Sequence, residues 1–207
     1  MVEYEHACIA VNAIILTIKN KELYVLLTKR EKDPFKGKYE LPGGLLKEKE
    51  TAEEALQRKL FEIFGMKDLF FSQFKTFTDP DRDPRERTIS IGYITLINEE
   101  RAPHKNWYAV QQLPSLAFDH KEIITQAIAF LKNNMTSTLV KHFLPKKFPL
   151  NKLQAVHEAI SGEPYDNRNF RKQMIAAGIV KETVEMEKEV SHRPAKLYQF
   201  VELYNNH

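Results

Sequence analysis

The stretch between Gly43 and Gly65 constrains the fold of this 207-residue chain more than any other part of its sequence. From residue 51 to residue 64 the apolar side chains recur at helical spacing, which predicts an amphipathic helix. Thr51 and Glu54 have the spacing of a capping box at the start of this helix, and Gly65 predicts its end. The helix follows a glycine pair and completes the pattern Gly44-x5-Glu50-x7-Arg58-x3-Glu62-x2-Gly65.

Strand patterns lie on both sides of this helix. Residues 8–18, 23–29, 39–42, 70–77, 88–97 and 107–110 predict strands. Residues 121–132 predict a second helix, with Asp119 in position to cap it. This order indicates an α+β domain. The pattern breaks at residues 133–137, so we expect two domains, residues 1–136 and residues 137–207.

The spaced glycines, acids and arginine resemble the Nudix box, G-x5-E-x7-R-E-U-x-E-E-x-G-U, in which U is a bulky aliphatic residue. The resemblance implies an α/β/α sandwich with a mixed sheet. In such a box a glycine-rich loop lets a diphosphate approach the backbone, and helix carboxylates offer oxygen ligands to Mg²⁺. It also implies that the ligand site includes Gly43, Gly44, Glu50 and Arg58.

Two substitutions in the box weaken the case for hydrolysis. Lys59 and Ile63 occupy positions where the Nudix pattern has glutamates, so only Glu62 of the three remains. An ammonium group repels a metal ion, and the loss of a general base alone lowers a rate by about 10²–10⁴-fold. Glu62 is therefore a candidate catalytic and metal-binding residue only if the chain hydrolyses its ligand, and only then is Mg²⁺ needed.

Basic residues outside the box are candidates for contact with an anionic or polyol ligand, because arginine suits bidentate phosphate recognition. These candidates are Arg30, Lys38, Arg82 and Arg87. The alternative is that they are solvated surface charges. Asp119 and His120 precede the second helix and are further ligand candidates, with a capping or packing role as the alternative for His120.

The C-terminal part of the chain has the pattern of a winged helix-turn-helix. Helical spacing occurs at residues 150–160 and 167–177, separated by a turn that contains Gly162 and Pro164, and strands are predicted at residues 179–184 and 196–201. In the second of these helices Phe170, Met174 and Ile175 are predicted to face inward. The alternative is a small helical extension used for dimerisation.

Local charge favours nucleic acid as a partner of this part. Residues 141–178 contain seven Lys or Arg and three Asp or Glu, so their balance of +4 exceeds the +3 of the whole chain. Side chains of the types that read base edges and phosphates are Arg168, Asn169, Arg171 and Lys172. Candidate phosphate contacts are Lys146, Lys147 and Arg193. The predicted wing is acidic, with Glu182, Glu185, Glu187 and Glu189, which opposes phosphate contact unless these residues face away.

Taken as a whole, the chain resembles the Nudix-related transcriptional regulators, which join a Nudix-like effector domain to a winged helix. The shared segments are residues 79–90, 116–120, 162–164, 168–172 and 193–198. The resemblance implies a repressor that binds a double-stranded DNA operator as a homodimer and needs no cofactor to do so. Its effector would be ADP-ribose, as in regulators of NAD metabolism, or a sugar, as in an arabinose-responsive branch. The alternative is a Mg²⁺-dependent Nudix hydrolase that cleaves ADP-ribose or a related nucleoside diphosphate.

Composition excludes several other classes of protein. The single cysteine, Cys8, cannot form an internal disulfide and excludes a cysteine-based zinc site. A hydrophobic content of 43% is enough for a core, so the chain is not a disordered one. The longest apolar stretch, residues 8–18, is shorter than the ~20 residues that cross a bilayer. The N-terminus also has no basic leader, so we expect a cytoplasmic protein with no membrane partner.

Overall fold

The computed structural model describes residues 6–102, 106–135, 138–188 and 194–201. Its strands are β1 (Cys8–Lys19), β2 (Glu22–Leu26), β3 (Thr28–Lys29), β4 (Tyr39–Glu40), β5 (Gly43–Leu45), β6 (Ser72–Phe77), β7 (Thr88–Leu96), β8 (Trp107–Ala109), β9 (Phe148–Pro149), β10 (Val180–Met186) and β11 (Lys196–Phe200). Its helices are α1 (Ala52–Phe64), α2 (His120–Asn133), α3 (Leu150–Ser161) and α4 (Asn167–Ala176), with short 3-10 turns at Glu99–Arg101 and Thr138–Phe143. The predicted α+β class is confirmed.

Strand β1 is the centre of a mixed sheet of six strands. Five of them have the order β6-β7-β1-β2-β8, and the sixth, β5, pairs with β1 outside this path. Strand β1 runs parallel to β7 and antiparallel to β2, and β5 pairs antiparallel with its first half. Every residue from Val11 to Thr17 is buried. All of them except Asn12 and Thr17 are apolar, as expected for a strand covered on both faces, which has a nearly continuous apolar run rather than an alternating one.

Two helices cover the faces of this sheet. Helix α1 packs Leu56 and Leu60 with Val11 on one face, and α2 packs Ile123 with Ile14 on the other. This arrangement is the α/β/α sandwich that the Nudix resemblance implies. Within the described residues no helix is both long enough and apolar enough to cross a membrane.

The ends of α1 follow the local chemistry of the sequence. The Oγ1 of Thr51 accepts a hydrogen bond from the Glu54 backbone N at 3.2 Å, and the Glu54 carboxylate accepts one from the Thr51 backbone N at 2.8 Å. Gly65 ends the helix in the left-handed region, with φ of 66°. Both the capping box and the stop are therefore confirmed, and they fix where α1 lies relative to the glycine pair.

The C-terminal part is a winged helix, in which a sheet with the order β10-β11-β9 packs with α3 and α4. Phe170 and Met174 of α4 are buried, and Asp166 caps the helix by accepting a bond from the Asn169 backbone N at 2.9 Å. The prediction that Ile175 faces inward is wrong, because this residue is 41% exposed. The buried face of this short helix consists of one pair of residues at i and i+4, and Ile175 lies outside it. Residues 136–137, on which the expected domain boundary falls, lie outside the described part of the chain.

The two parts of the fold share one apolar core. Helix α3 packs against α2 and β2, so that its Leu153 belongs to the same cluster as Ile14 and Ile123. Phe70, just before β6, stacks on His142 of the connecting 3-10 turn with ring centroids 3.8 Å apart. A packed path of side chains thus connects the Nudix-like sheet with the winged helix.

One histidine in this shared core links the stability of the protein to pH. His157 on α3 is buried against Phe170, with ring centroids 5.1 Å apart, and burial lowers its pKa to about 4. An unfolded histidine titrates near pH ~6.5. Between these two values the unfolded chain binds more protons than the folded chain does, so the free energy of unfolding falls as the pH is lowered through that window.

We therefore expect His157→Phe to flatten the dependence of stability on pH. Between about pH 5 and pH 6, the slope of unfolding free energy against pH should fall by up to about 1.4 kcal/mol per pH unit relative to wild type. Urea unfolding at several pH values measures both slopes. The other histidines are present in both proteins, so equal slopes would contradict the assignment.

Candidate functional site

The glycine pair of the box lies where the backbone approaches other groups closely. A Cβ added to Gly43 would lie 2.3 Å from the backbone oxygen of Val11, so only glycine allows β5 to pair with β1 at this point. A Cβ added to Gly44 would lie 3.1 Å from Cε of Lys59. The side chain of Lys59 therefore crosses the loop that the Nudix resemblance assigns to a diphosphate.

Glu50 and Arg58 of the box bind each other. The Nε and Nη2 atoms of Arg58 donate to the two carboxylate oxygens of Glu50 at 2.7 and 2.8 Å, and the Lys47 backbone N donates to the same carboxylate at 2.8 Å. These bonds, that from Arg58 above all, lower the pKa of Glu50 to about 2. The pair joins the loop before α1 to the middle of the helix, and so holds the segment that follows the glycine pair against α1.

The residues of the box do not fit a Mg²⁺ ion. The Nζ of Lys59 lies 2.8 Å from Glu62, and Nη1 of Arg58 lies 3.7 Å from the other oxygen of the same carboxylate. The bond from Lys59 is the main cause of the lowered pKa of Glu62. Across the described ranges no three His, Cys, Asp or Glu side chains are grouped as metal ligands. The ammonium group of Lys59 is thus already bound to the carboxylate that a metal would need.

A cleft of about 650 Å³ lies elsewhere, between the end of β6, the charged loop after it and the start of α2. Arg82 lines this cleft and donates from Nε and Nη2 to the carboxylate of Asp119 at 2.8 and 2.7 Å. The prediction that Asp119 caps α2 is wrong, because its side chain makes no capping bond and pairs with Arg82 instead. The two candidate residues come together, each bound to the other.

His120 lies behind this pair at the first turn of α2. It is buried, and its Nδ1 accepts a hydrogen bond from the Leu41 backbone N at 2.9 Å. Burial, with smaller contributions from the positive charges of Arg82 and Arg30, lowers the pKa of His120 to about 3. The imidazole is therefore neutral at physiological pH and joins the segment before the glycine pair to α2. This geometry favours the packing role, and contact with a ligand stays a prediction.

Two of the three remaining candidate cations lie against aromatic rings. Arg30 forms an ion pair with Glu40 and lies 4.7 Å from the ring centroid of Phe118, and Lys38 lies 4.9 Å from that of Phe35. The rings of Phe35 and Phe118 meet edge to face at 5.0 Å, and both line the cleft. Arg87 lies apart from them and donates to the Thr78 backbone oxygen at 2.9 Å.

The two phenylalanines are absent from the sequence-based site. Both have positive φ, 66° for Phe35 and 52° for Phe118, a conformation that bulky residues rarely adopt and that often marks functional positions. No periodicity or spacing signals this conformation. The two rings give the cleft an apolar wall that suits a ring of a ligand. The charged side chains that line the cleft are Lys75, Arg82, Asp79, Asp81, Asp119 and Glu122.

The candidate nucleic-acid interface is the exposed side of α4. Arg168, Asn169 and Lys172 are all exposed, opposite the buried Phe170 and Met174. Arg168 and Lys172 are one turn apart, so they lie on the same face. Of the predicted phosphate contacts, Lys146 is exposed, Lys147 forms an ion pair with Glu185 of the wing, and Arg193 lies outside the described residues. The exposed face of α4 therefore presents two cations and an amide side by side.

Known proteins share both halves of this arrangement. Residues 7–127 match the NUDIX domain, and residues 140–200 match the NrtR DNA-binding winged helix domain. The chain is 31% identical to the ADPR responsive transcriptional repressor NtrR of Acinetobacter baylyi, over 96% of this chain and 84% of that protein. The chain belongs to the NrtR-type Nudix-related transcriptional regulators.

A solved structure and an enzyme extend the comparison of this NrtR-type chain. The crystal structure of Shewanella oneidensis NrtR complexed with a 27mer DNA matches it with a TM-score of 0.81 at 30% identity, over 93% of both chains. The ADP-ribose pyrophosphatase of Methanocaldococcus jannaschii is 39% identical over 58% of this chain and 73% of that enzyme. In this NrtR-type chain the Nudix fold is therefore kept, while Lys59 and Ile63 alter its box.

Proposed function

We propose that this chain is a transcriptional repressor that binds a double-stranded DNA operator and responds to ADP-ribose. The observation that carries the proposal is the exposed basic face of α4 on a winged helix whose core is continuous with a Nudix fold. The relatives point the same way, since one is an ADPR responsive repressor and another was solved with DNA. The Lys59–Glu62 ion pair fits a sensor, because a sensor has to bind its effector without consuming it.

The two tasks are divided along the chain. Residues 1–136 bind the effector and residues 137–207 bind DNA. Proposed ligand contacts are Arg30, Lys38, Gly43, Gly44, Glu50, Arg58, Arg82, Arg87, Asp119 and His120. Proposed DNA contacts are Lys146, Lys147, Arg168, Asn169, Arg171, Lys172 and Arg193. A homodimer would place two copies of α4 on the half-sites of a palindrome. We place such a repressor in the cytoplasm. DNA binding needs no metal or cofactor.

We expect ADP-ribose to lower the affinity of the protein for its operator by about tenfold, within the usual range of coupling between two sites. The operator is the duplex that the wild-type protein selects from a randomised library. Fluorescence anisotropy with the labelled duplex at ~150 mM salt measures the effect, because lower salt inflates non-specific binding. Arabinose and AMP are titrated in parallel. An unchanged affinity with ADP-ribose, or a change with arabinose alone, would contradict the effector assignment.

The second candidate function is hydrolysis of ADP-ribose or a related nucleoside diphosphate. The identity with an ADP-ribose pyrophosphatase favours it, and the ion pair between Lys59 and Glu62 opposes it. Incubation of the protein with ADP-ribose and Mg²⁺, followed by chromatography for AMP, tests this function. Release of AMP that is lost in Glu62→Ala supports the enzyme, whereas no turnover at high protein concentration excludes it.

A further inference from the structure

One carboxylate of the wing is bound by three donors. Glu182 on β10 accepts a hydrogen bond from Nη2 of Arg171 at 3.0 Å and from Nζ of Lys196 at 2.7 Å. The hydroxyl of Tyr198 donates to the same carboxylate at 2.9 Å. These partners come from α4 and from β11, so Glu182 joins the two elements of the wing to the basic helix.

The carboxylate of Glu182 is ionised at neutral pH. The three donors, with Lys196 as the largest contributor, lower the pKa of Glu182 to about 2. Tyr198 is buried and holds its hydroxyl in place, and the guanidinium of Arg171 lies 5.8 Å from the Tyr198 ring centroid. The Arg171 guanidinium thus lies between a carboxylate that two further donors bind and a ring that is buried.

Arg171 occupies a special position on α4. Helical periodicity places Arg168 and Lys172 at the centre of the exposed face and Arg171 on the flank that faces the wing. Its side chain is 56% exposed, so it can reach DNA without leaving the protein surface. A guanidinium has five N–H donors in a rigid fork, and the bond to Glu182 uses one of its three nitrogens. Donors remain for a base edge while that bond is intact.

Resting on the DNA-binding function proposed above, we propose that Glu182 is a positioning residue that sets the sequence specificity of the repressor through Arg171. A free arginine on a flexible stem binds any phosphate it meets, because phosphate contact carries no sequence information. A carboxylate that orients the guanidinium and neutralises it weakens this unspecific attraction. It also favours the one geometry in which the fork meets a base edge.

The wing supplies a matched control in Glu185. This residue lies on the same strand and also pairs with a cation, but that cation is Lys147, which precedes α3. Replacement of either glutamate by glutamine changes the net charge by the same amount. A difference between Glu182→Gln and Glu185→Gln therefore reports on the different partners of the two carboxylates rather than on net charge, and the Arg171→Ala background isolates the contribution of the arginine.

The test compares the selected operator with a scrambled duplex for the wild type and both variants over a range of salt concentrations. For Glu182→Gln we expect the ratio of the two affinities to fall by about tenfold, the size of one base contact. Its binding to scrambled duplex should strengthen, with a salt slope steeper by about one phosphate equivalent. For Glu185→Gln both affinities should rise together, with a ratio that changes by less than about twofold.

The Arg171→Ala background decides whether the effect runs through the arginine. There, Glu182→Gln should leave the affinity ratio unchanged, and a ratio that still falls would overturn the proposal. An equal loss in the two glutamine variants would also overturn it, as would an unchanged ratio in Glu182→Gln. Thermal unfolding confirms that each variant is folded before its binding is compared. If the wild type selects no sequence at all, the proposed DNA-binding function fails, and the role of Glu182 fails with it.

Discussion

We expect Arg82→Ala to lower the free energy of unfolding by about 3 kcal/mol, the scale found when one partner of a buried ion pair is removed. The Arg82 side chain is 4% exposed, and its two bonds to Asp119 are its contacts with the start of α2. Without the guanidinium, the carboxylate of Asp119 loses its cation, although its side chain is only 20% exposed to water. Urea unfolding followed by circular dichroism at neutral pH measures the loss.

Arg101→Ala is the matched control for this experiment. Arg101 also pairs with an aspartate, Asp68, but the two side chains are 46% and 77% exposed. An exposed pair contributes little, so we expect a change of less than about 0.5 kcal/mol. Similar losses in the two variants would contradict the role given to burial, as would a loss below about 1 kcal/mol in Arg82→Ala.

We expect Arg168→Ala combined with Lys172→Ala to weaken operator binding by at least about 100-fold, because each lost contact to a base edge or phosphate removes about 1–3 kcal/mol. Both side chains are exposed on the outer face of α4 and pack against nothing in the core, so the fold should be unaffected. Anisotropy with the selected operator measures the affinity, and the slope of binding against salt concentration should become shallower.

Lys67→Ala combined with Lys121→Ala removes the same amount of charge from exposed positions of the Nudix part. If α4 is the DNA interface, this control pair should change operator affinity by less than about threefold, through the long-range field alone. Equal weakening in the two double variants would mean that net charge, and not the α4 surface, governs binding.

Local chemistry explains which elements could be predicted from the sequence. The capping box at Thr51 and the stop at Gly65 are decided within a few residues, and both are present as expected. The apolar run of β1 likewise predicts a buried strand. The failures lie where a distant group competes. Asp119 stands before α2 like a cap, but Arg82, 37 residues earlier, binds its carboxylate more strongly than a backbone N–H does.

The candidate site shows the same limit. The spacing from Gly44 to Gly65 identifies the box, and the substitutions at Lys59 and Ile63 are visible in the sequence. The placement of Phe35 and Phe118 is not, since it depends on two loops that meet only in the folded chain. The acidic wing is a further example, because its glutamates look unfavourable for DNA binding until Glu182 and Glu185 are found bound to cations.

The continuous core between the two halves of the chain limits how the DNA-binding specificity of this sensor can be changed. The apolar side of α3 packs against residues of α2 and β2, so the winged helix cannot be exchanged as an independent domain. A chimera that joins a different DNA-binding domain to the Nudix part at the connecting segment would bring together two apolar surfaces that are not complementary. Redesign of the operator preference is therefore better confined to α4 and the wing, with α3 unchanged because it packs against the Nudix part.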